Sequence, residues 1–81
     1  MISYRFEEEN HQAAAYDGDK LIGVCQYEPM ETEWAITHTS VLDEYGGQGI
    51  ARKLVLMVSD AADDAGMDIL PVCSYAKKVL E

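Results

Sequence analysis

Val41-Leu42-Asp43-Glu44-Tyr45-Gly46-Gly47-Gln48-Gly49-Ile50-Ala51-Arg52-Lys53-Leu54 divides the chain into two kinds of sequence. A strand-like run enters it, three glycines bend it, and apolar residues at helical spacing leave it. Glycines let successive backbone N–H groups converge, and a helix N-terminus carries about half a positive charge, so a strand–glycine loop–helix junction is an anion site. Phosphate is the usual guest. Arg52 and Lys53 fall in the first turn, where bases oppose the helix dipole unless an anion lies between them.

Downstream, Ile50, Leu54, Val58, Ala61 and Ala65 recur at three or four residues and predict one apolar helix face. Gly66 is a natural stop. Asp68 to Cys73 predicts a short strand. Its Pro71 lacks a donor N–H and places that strand at an edge, at a bulge or where two strands part. Tyr75 to Leu80 predicts a last helix.

Upstream the period is two. Ile2, Tyr4 and Phe6 alternate with polar residues before an acidic turn at Glu8 to Asn10. Ala13 to Tyr16 and Leu21 to Tyr27 predict a hairpin around the turn Asp17-Gly18-Asp19-Lys20, ended by Pro29. Glu33 to Leu42 holds Trp, Ile, Val and two Thr and predicts a fourth strand. The order ββββαβα defines an α+β fold, a mostly antiparallel sheet with a helix packed on it.

Eighty-one residues predict one compact domain over 1–81, with a shallow cleft in place of an enclosed pocket. A core this small leaves room for a homodimer. Six Lys and Arg stand against fifteen Asp and Glu, a formal net charge of −9. Such a surface repels nucleic acid and anionic membranes and keeps the chain in solution. The excess sits before residue 44, which has two bases (Arg5, Lys20) against nine acids. An anionic ligand therefore belongs to the second half. Cys25 and Cys73 make neither a disulfide scaffold nor a zinc spacing, so no metal is expected. Reduced thiols and an N-terminus without a basic and apolar leader predict a cytoplasmic protein.

Several phosphate loops separate on spacing. No Lys-Ser or Lys-Thr follows the glycines at the Walker distance, and no acid ends a following strand at the dinucleotide-fold distance. Gly46-Gly47-Gln48 spells the tripeptide of class I peptide-release factors, whose basic ribosome-facing surface this chain lacks.

Gly46-Gly47-Gln48-Gly49-Ile50-Ala51 resembles the acyl-CoA pyrophosphate loop of the GCN5-related N-acetyltransferases, whose pattern is Gln/Arg-x-x-Gly-x-Gly/Ala between a strand and a helix. Gly46 departs from it, for the family carries Gln or Arg there. The resemblance narrows to the short single-domain branch of predicted acetyltransferases. In that branch His-Thr-x-Val precedes the loop and Pro-x-Cys follows the helix, matching His38-Thr39-Ser40-Val41 and Pro71-Val72-Cys73 here. The three motifs cover about residues 21 to 78. Relatives continue a few residues past the position of Glu81, so a short last helix and an incomplete acyl pocket are expected.

The resemblance implies a minimal acyl-CoA N-acyltransferase-like fold and an N-acetyltransferase with acetyl-CoA as acyl donor. The acceptor is an amine on a small molecule, a polyamine or a protein lysine. Two strands would part beside the loop, the pantetheine lying along Thr39, Ser40 and Val41 and the pyrophosphate on Gly46, Gly47, Gln48, Gly49, Ile50 and Ala51, with Arg52 and Lys53 adding charge. An ammonium group must lose its proton before it attacks a thioester. His38 is the candidate base, because an imidazole accepts a proton near pH 6.5 or above. Alternation also puts it on the face of Trp34 and Ile36, where it reads equally as a core histidine. Cys73 lines the acyl channel or takes the acyl group covalently. Tyr75 could protonate the leaving thiolate or simply pack at the helix start. Glu33 and Glu44 are alternative bases, Cys25 reads as core and His11 as surface. A non-catalytic acyl-CoA-binding or regulatory module with the same loop is the competing reading, and a purely structural loop is the third.

Overall fold

The computed structural model describes residues 1–80. Glu81, to which the expectation about the last helix refers, lies outside the described residues. The elements are β1 (Ile2–Glu7), β2 (Gln12–Asp17), β3 (Lys20–Pro29), β4 (Glu33–Val41), α1 (Ile50–Asp64), β5 (Asp68–Pro71) and α2 (Ser74–Leu80), with 3-10 turns at Glu8–Asn10 and Asp43–Tyr45. This is the expected order. The strands form one sheet in chain order, antiparallel from β1 to β4, with β5 parallel to β4. A parallel neighbour needs a crossover connection, and α1 provides it.

The core lies between α1 and one face of the sheet. Ile50, Leu54, Val55 and Val58 of α1 pack on Ala13, Ala15, Ile22, Cys25 and Ile36, and Ala76 of α2 closes the same cluster. The alanines of β2 let the helix approach closely. Beyond Val58 the buried residue is Ala62, while Ala61 is only half-buried and Ala65 is exposed. The expected stripe through Ala61 and Ala65 is corrected accordingly: the buried face is centred further round, toward Val55 and Ala62, and Ala65 is the residue that caps the helix. The helix ends in a Schellman motif, with Met67 N–H donating to the Ala62 carbonyl at 2.8 Å and Gly66 N–H to Asp63 at 3.0 Å.

Two further boundaries move. β4 stops at Val41, not Leu42, and β5 stops at Pro71, so Cys73 precedes α2 and lies outside the strand. The larger correction concerns His38. Tyr27 pairs with Ile36 but Gln26 pairs with His38, so β4 spends one extra residue, Thr37, against β3. That bulge reverses the alternation. Trp34 and Ile36 face α1, whereas His38 turns to the opposite face and is exposed.

Leu54 is fully buried at the centre of α1. Leu54→Ala should cost about 2–5 kcal/mol in urea denaturation, against under about 0.5 kcal/mol for Ala65→Ser at the exposed helix end. Equal losses at the two positions would contradict the helix face described.

Candidate functional site

The glycine loop hangs between the end of β4 and the start of α1, and the β2–β3 turn holds its approach. The Tyr45 hydroxyl donates to the Asp17 carboxylate, and Lys20 Nζ donates to Glu44 Oε1 at 2.9 Å. The bond from Tyr45, with the terminal amine at 3.2 Å, holds Asp17 below the usual carboxylate pKa and raises that of Tyr45 in turn. Gly47 and Gly49 take φ of +78° and +75°, a region that side-chain-bearing residues rarely adopt. Gly46 does not: its φ of −64° and ψ of 153° are ordinary extended backbone. Positive φ therefore asks for glycine at 47 and 49, whereas at 46 a Cβ would come within 3.2 Å of the Asp43 carbonyl oxygen.

Gly49 caps α1 without any side-chain hydrogen bond, and no acid occupies the first turn. The first carbonyl used is that of Gly49, which accepts from Lys53 N–H at 3.1 Å. Among the described residues no backbone acceptor takes the N–H groups from Gly47 to Arg52. Such a run of free donors at a helix start fits a pyrophosphate.

These donors open onto a cavity of about 240 Å³ lined by Val41, Tyr45, Gly46, Gly47, Gly49, Ile50, Ala51 and Tyr75. The loop, the end of β4 and the start of α2 thus share one space. Upstream of Val41 and Tyr75 in the chain, β4 and β5 part. Their pairing ends at Ile36 and Pro71, after which Val72 and Cys73 both donate N–H to the Ile36 carbonyl, at 3.1 and 2.9 Å. From Thr37 onward β4 has no neighbour on that side, the parting that Pro71 suggested.

Cys73 lies across this gap from Thr39. Burial pushes its thiol pKa up, but the Ala76 N–H, the Thr39 hydroxyl and the N–H groups of Tyr75 and Thr39 favour the thiolate and leave it below the ordinary value. Cys25 behaves oppositely, since burial dominates and raises it. The Thr39 hydroxyl also reaches Cys25 Sγ at 3.5 Å, and its single proton can serve only one sulfur at a time.

The remaining sequence candidates sit apart. His38 and Ser40 occupy the opposite sheet face, and Gln48 is exposed outside the loop cavity. Arg52 and Lys53 line a neighbouring groove of about 330 Å³ with Gly49, Leu56, Met57 and Asp60. Lys53 Nζ lies 5.1 Å over the ring of Tyr4. Among the described residues no three His, Cys, Asp or Glu side chains converge as metal ligands, and no helix is long and apolar enough to cross a membrane. Two contributors escaped sequence reasoning. Tyr45 walls the cavity and is readable by its place before the glycines, but its anchor lies 28 residues earlier. The N–H of Ala76 leaves no mark in a sequence.

The profile of the GCN5-related N-acetyl-transferase family matches residues 5–81. A GCN5-like candidate N-acetyltransferase from Staphylococcus aureus, solved by NMR, is 30% identical, with a TM-score of 0.72 over 96% of this chain and 76% of its own. The ribosomal-protein-alanine N-acetyltransferase of Brucella melitensis biovar Abortus has the same fold at 19% identity, TM-score 0.70, covering 84% of this chain and 53% of that one. A predicted acetyltransferase from Clostridium acetobutylicum, crystallised with acetyl-CoA, gives a TM-score of 0.65 at 15% identity over 89% and 56%. The chain spans about half the length of these last two. No curated protein matches it significantly in sequence.

The thiols give a direct test of the gap geometry. A depressed pKa means that the Cys73 thiolate is already populated below the ordinary thiol value of about 8.5 and is lost only as pH falls through the lower folded-state value. Iodoacetamide labelling read by peptide mass should therefore modify Cys73 well before Cys25, with a pH midpoint below that of free cysteine. Equal labelling rates would contradict this arrangement.

Proposed function

The chain belongs to the GCN5-related N-acetyltransferase family, and on that premise we propose that it is an acetyl-CoA-dependent N-acetyltransferase acting on an amine. The observation that carries the reading is the run of unbonded N–H groups from Gly47 to Arg52, opening beside the unpaired edge of β4. A pyrophosphate satisfies those donors, and the pantetheine then runs along Thr39, Ser40 and Val41 as an extra strand would. That the Clostridium relative was crystallised with acetyl-CoA supports the choice of ligand.

Acetyl-CoA supplies a thioester: the acceptor nitrogen bonds to its carbonyl carbon, the C–S bond breaks, and the sulfur leaves as a thiolate that takes up a proton. This chain's residues hold and orient those atoms. The backbone N–H groups from Gly47 to Arg52 grip the pyrophosphate, with Gly46 leaving room beside them, and the Arg52 and Lys53 side chains add charge from the adjoining groove. Thr39 N–H, which faces the gap, offers a donor to the carbonyl oxygen. Cys73 shares that donor and so forms the wall beside the acyl group. His38 takes the proton of the incoming ammonium from the exposed sheet face. Tyr75, on the wall of the loop cavity, returns a proton to the sulfur. A non-catalytic acyl-CoA-binding module would use the loop alone, and turnover separates the two readings.

CoA and acetyl-CoA should each raise the melting temperature, because a ligand at 100 times its Kd adds about 2.7 kcal/mol. That corresponds to about 10–20 °C for a domain of this size. Gly49→Val, with a branched side chain at φ +75° in the wall of the loop cavity, should abolish the shift while circular dichroism reports a folded chain. An undiminished shift in that variant sinks the loop assignment. Cys73→Ala should retain measurable acetyl transfer to amines if the thiol only walls the channel, whereas complete loss with intact CoA stabilisation would make it the acyl-accepting nucleophile.

A further inference from the structure

Both helices pack on one side of the sheet, and the other side is uncovered. Register places Ser3, Arg5 and Glu7 of β1 there with Tyr16, Ala14 and Gln12 of β2, and then Val24 and Gln26 of β3 with Ser40 and His38 of β4. Most of its polar groups are engaged with one another. Glu7 accepts from Gln12 Nε2 at 2.7 Å and from the Tyr16 hydroxyl, Gln12 Oε1 accepts from Gln26 at 3.2 Å, and Arg5 lies 4.8 Å over the Tyr16 ring. At the end of this face nearest the glycine loop, the polar lattice gives way to a depression of about 200 Å³. Leu21, Ile22, Gly23, Val24, Ser40, Val41 and Leu42 line it.

Three features of this depression bear on the acceptor. It abuts β4, the strand assigned to the pantetheine, from the face that α1 does not occupy. Ser40 on its rim is two residues from His38 on the same face, a rise of about 7 Å along the strand. Its lining carries no carboxylate, so nothing in it would receive a second ammonium group. Leu21 and Leu42 remain 47% and 42% exposed at its edges, which leaves apolar surface for a ligand to cover.

We propose that the acceptor is a monoamine with a compact apolar body, bound across the uncovered face with its nitrogen at His38 and its body in the Leu21–Val24–Leu42 depression. This rests on the acetyltransferase reading. The space is below that of a drug-sized pocket, which sets the body at about one ring or a short branched chain. The net charge of −9 draws the cationic amine toward the protein, and the apolar depression selects among cations, because it leaves the distal ammonium groups of a polyamine without partners. In the transfer the His38 imidazole takes one proton from the bound ammonium, the neutral nitrogen attacks the thioester carbonyl and the C–S bond breaks, and the surplus proton left on nitrogen balances the one that the departing CoA thiolate takes up. The amide product carries no charge, and loss of the ammonium's attraction favours its release.

The test uses the whole chain. Phenethylamine, isopentylamine and spermidine are titrated separately while backbone amide resonances are followed by NMR, and each is then offered as acceptor with acetyl-CoA. The two apolar amines should produce saturable shifts at Val24, Ser40 and Leu42 and should be acetylated at least about tenfold more efficiently than spermidine. Leu21→Gln, at a partly exposed position, should weaken phenethylamine binding by about tenfold and leave the CoA melting shift unchanged. If CoA stabilises the protein but spermidine is the better acceptor, or the apolar amines shift nothing on this face, the acceptor assignment is overturned while the acetyltransferase reading stands. If CoA fails to stabilise the wild-type chain, the underlying reading fails and this one with it.

Discussion

The carbonyl of Ile36 accepts two N–H groups, from Val72 and Cys73, at the point where β4 and β5 stop pairing. Pro71, directly before them, has no N–H to extend the ladder. The chain therefore leaves the sheet and begins α2 three residues later, and the edge of β4 from Thr37 to Val41 has no strand paired beside it. Everything proposed for the site depends on that parting. It creates the gap that Cys73 and Thr39 face, and it sets Tyr75 against the glycine loop. A continued ladder would bury the same groups in a sheet and leave no channel.

A strongly acidic protein with an anion site is less contradictory than its charge suggests. The donors from Gly47 to Arg52 are backbone dipoles at close range, whereas the carboxylates act through water and are screened beyond about 10 Å in ordinary salt. The loop itself is held by acidic groups. Asp17 fixes Tyr45 and Glu44 fixes Lys20, so part of the negative charge orients the frame of the anion site. The same long-range field attracts amines, so under the proposed function the two substrates would meet opposite local environments on the two sides of β4.

Periodicity and turn chemistry made most of the architecture legible. Alternation marked β1, Asp17 to Lys20 marked the hairpin, and Gly66 marked the end of α1. The glycine loop could be read because the backbone there requires Gly47 and Gly49. What alternation could not reveal was the bulge at Thr37, since one extra residue changes no residue type and still moves His38 from the core face to the open face. Cys73 was singled out by its motif alone. Its lowered pKa comes from the N–H groups of Ala76, Tyr75 and Thr39, which no side-chain pattern encodes.

The sequence by itself determined the order of elements, the helix-opening glycine loop and the resemblance to an acyl-CoA-binding family, because each rests on residue types at short separations. Only the tertiary structure decided which side of β4 each candidate occupies. It brought Tyr75 to the loop and Thr39 to Cys73, and it left one sheet face bare beside His38. Those facts follow from register, a bulge and the ending of one strand pair, all of which are set by hydrogen bonds between segments far apart in the chain.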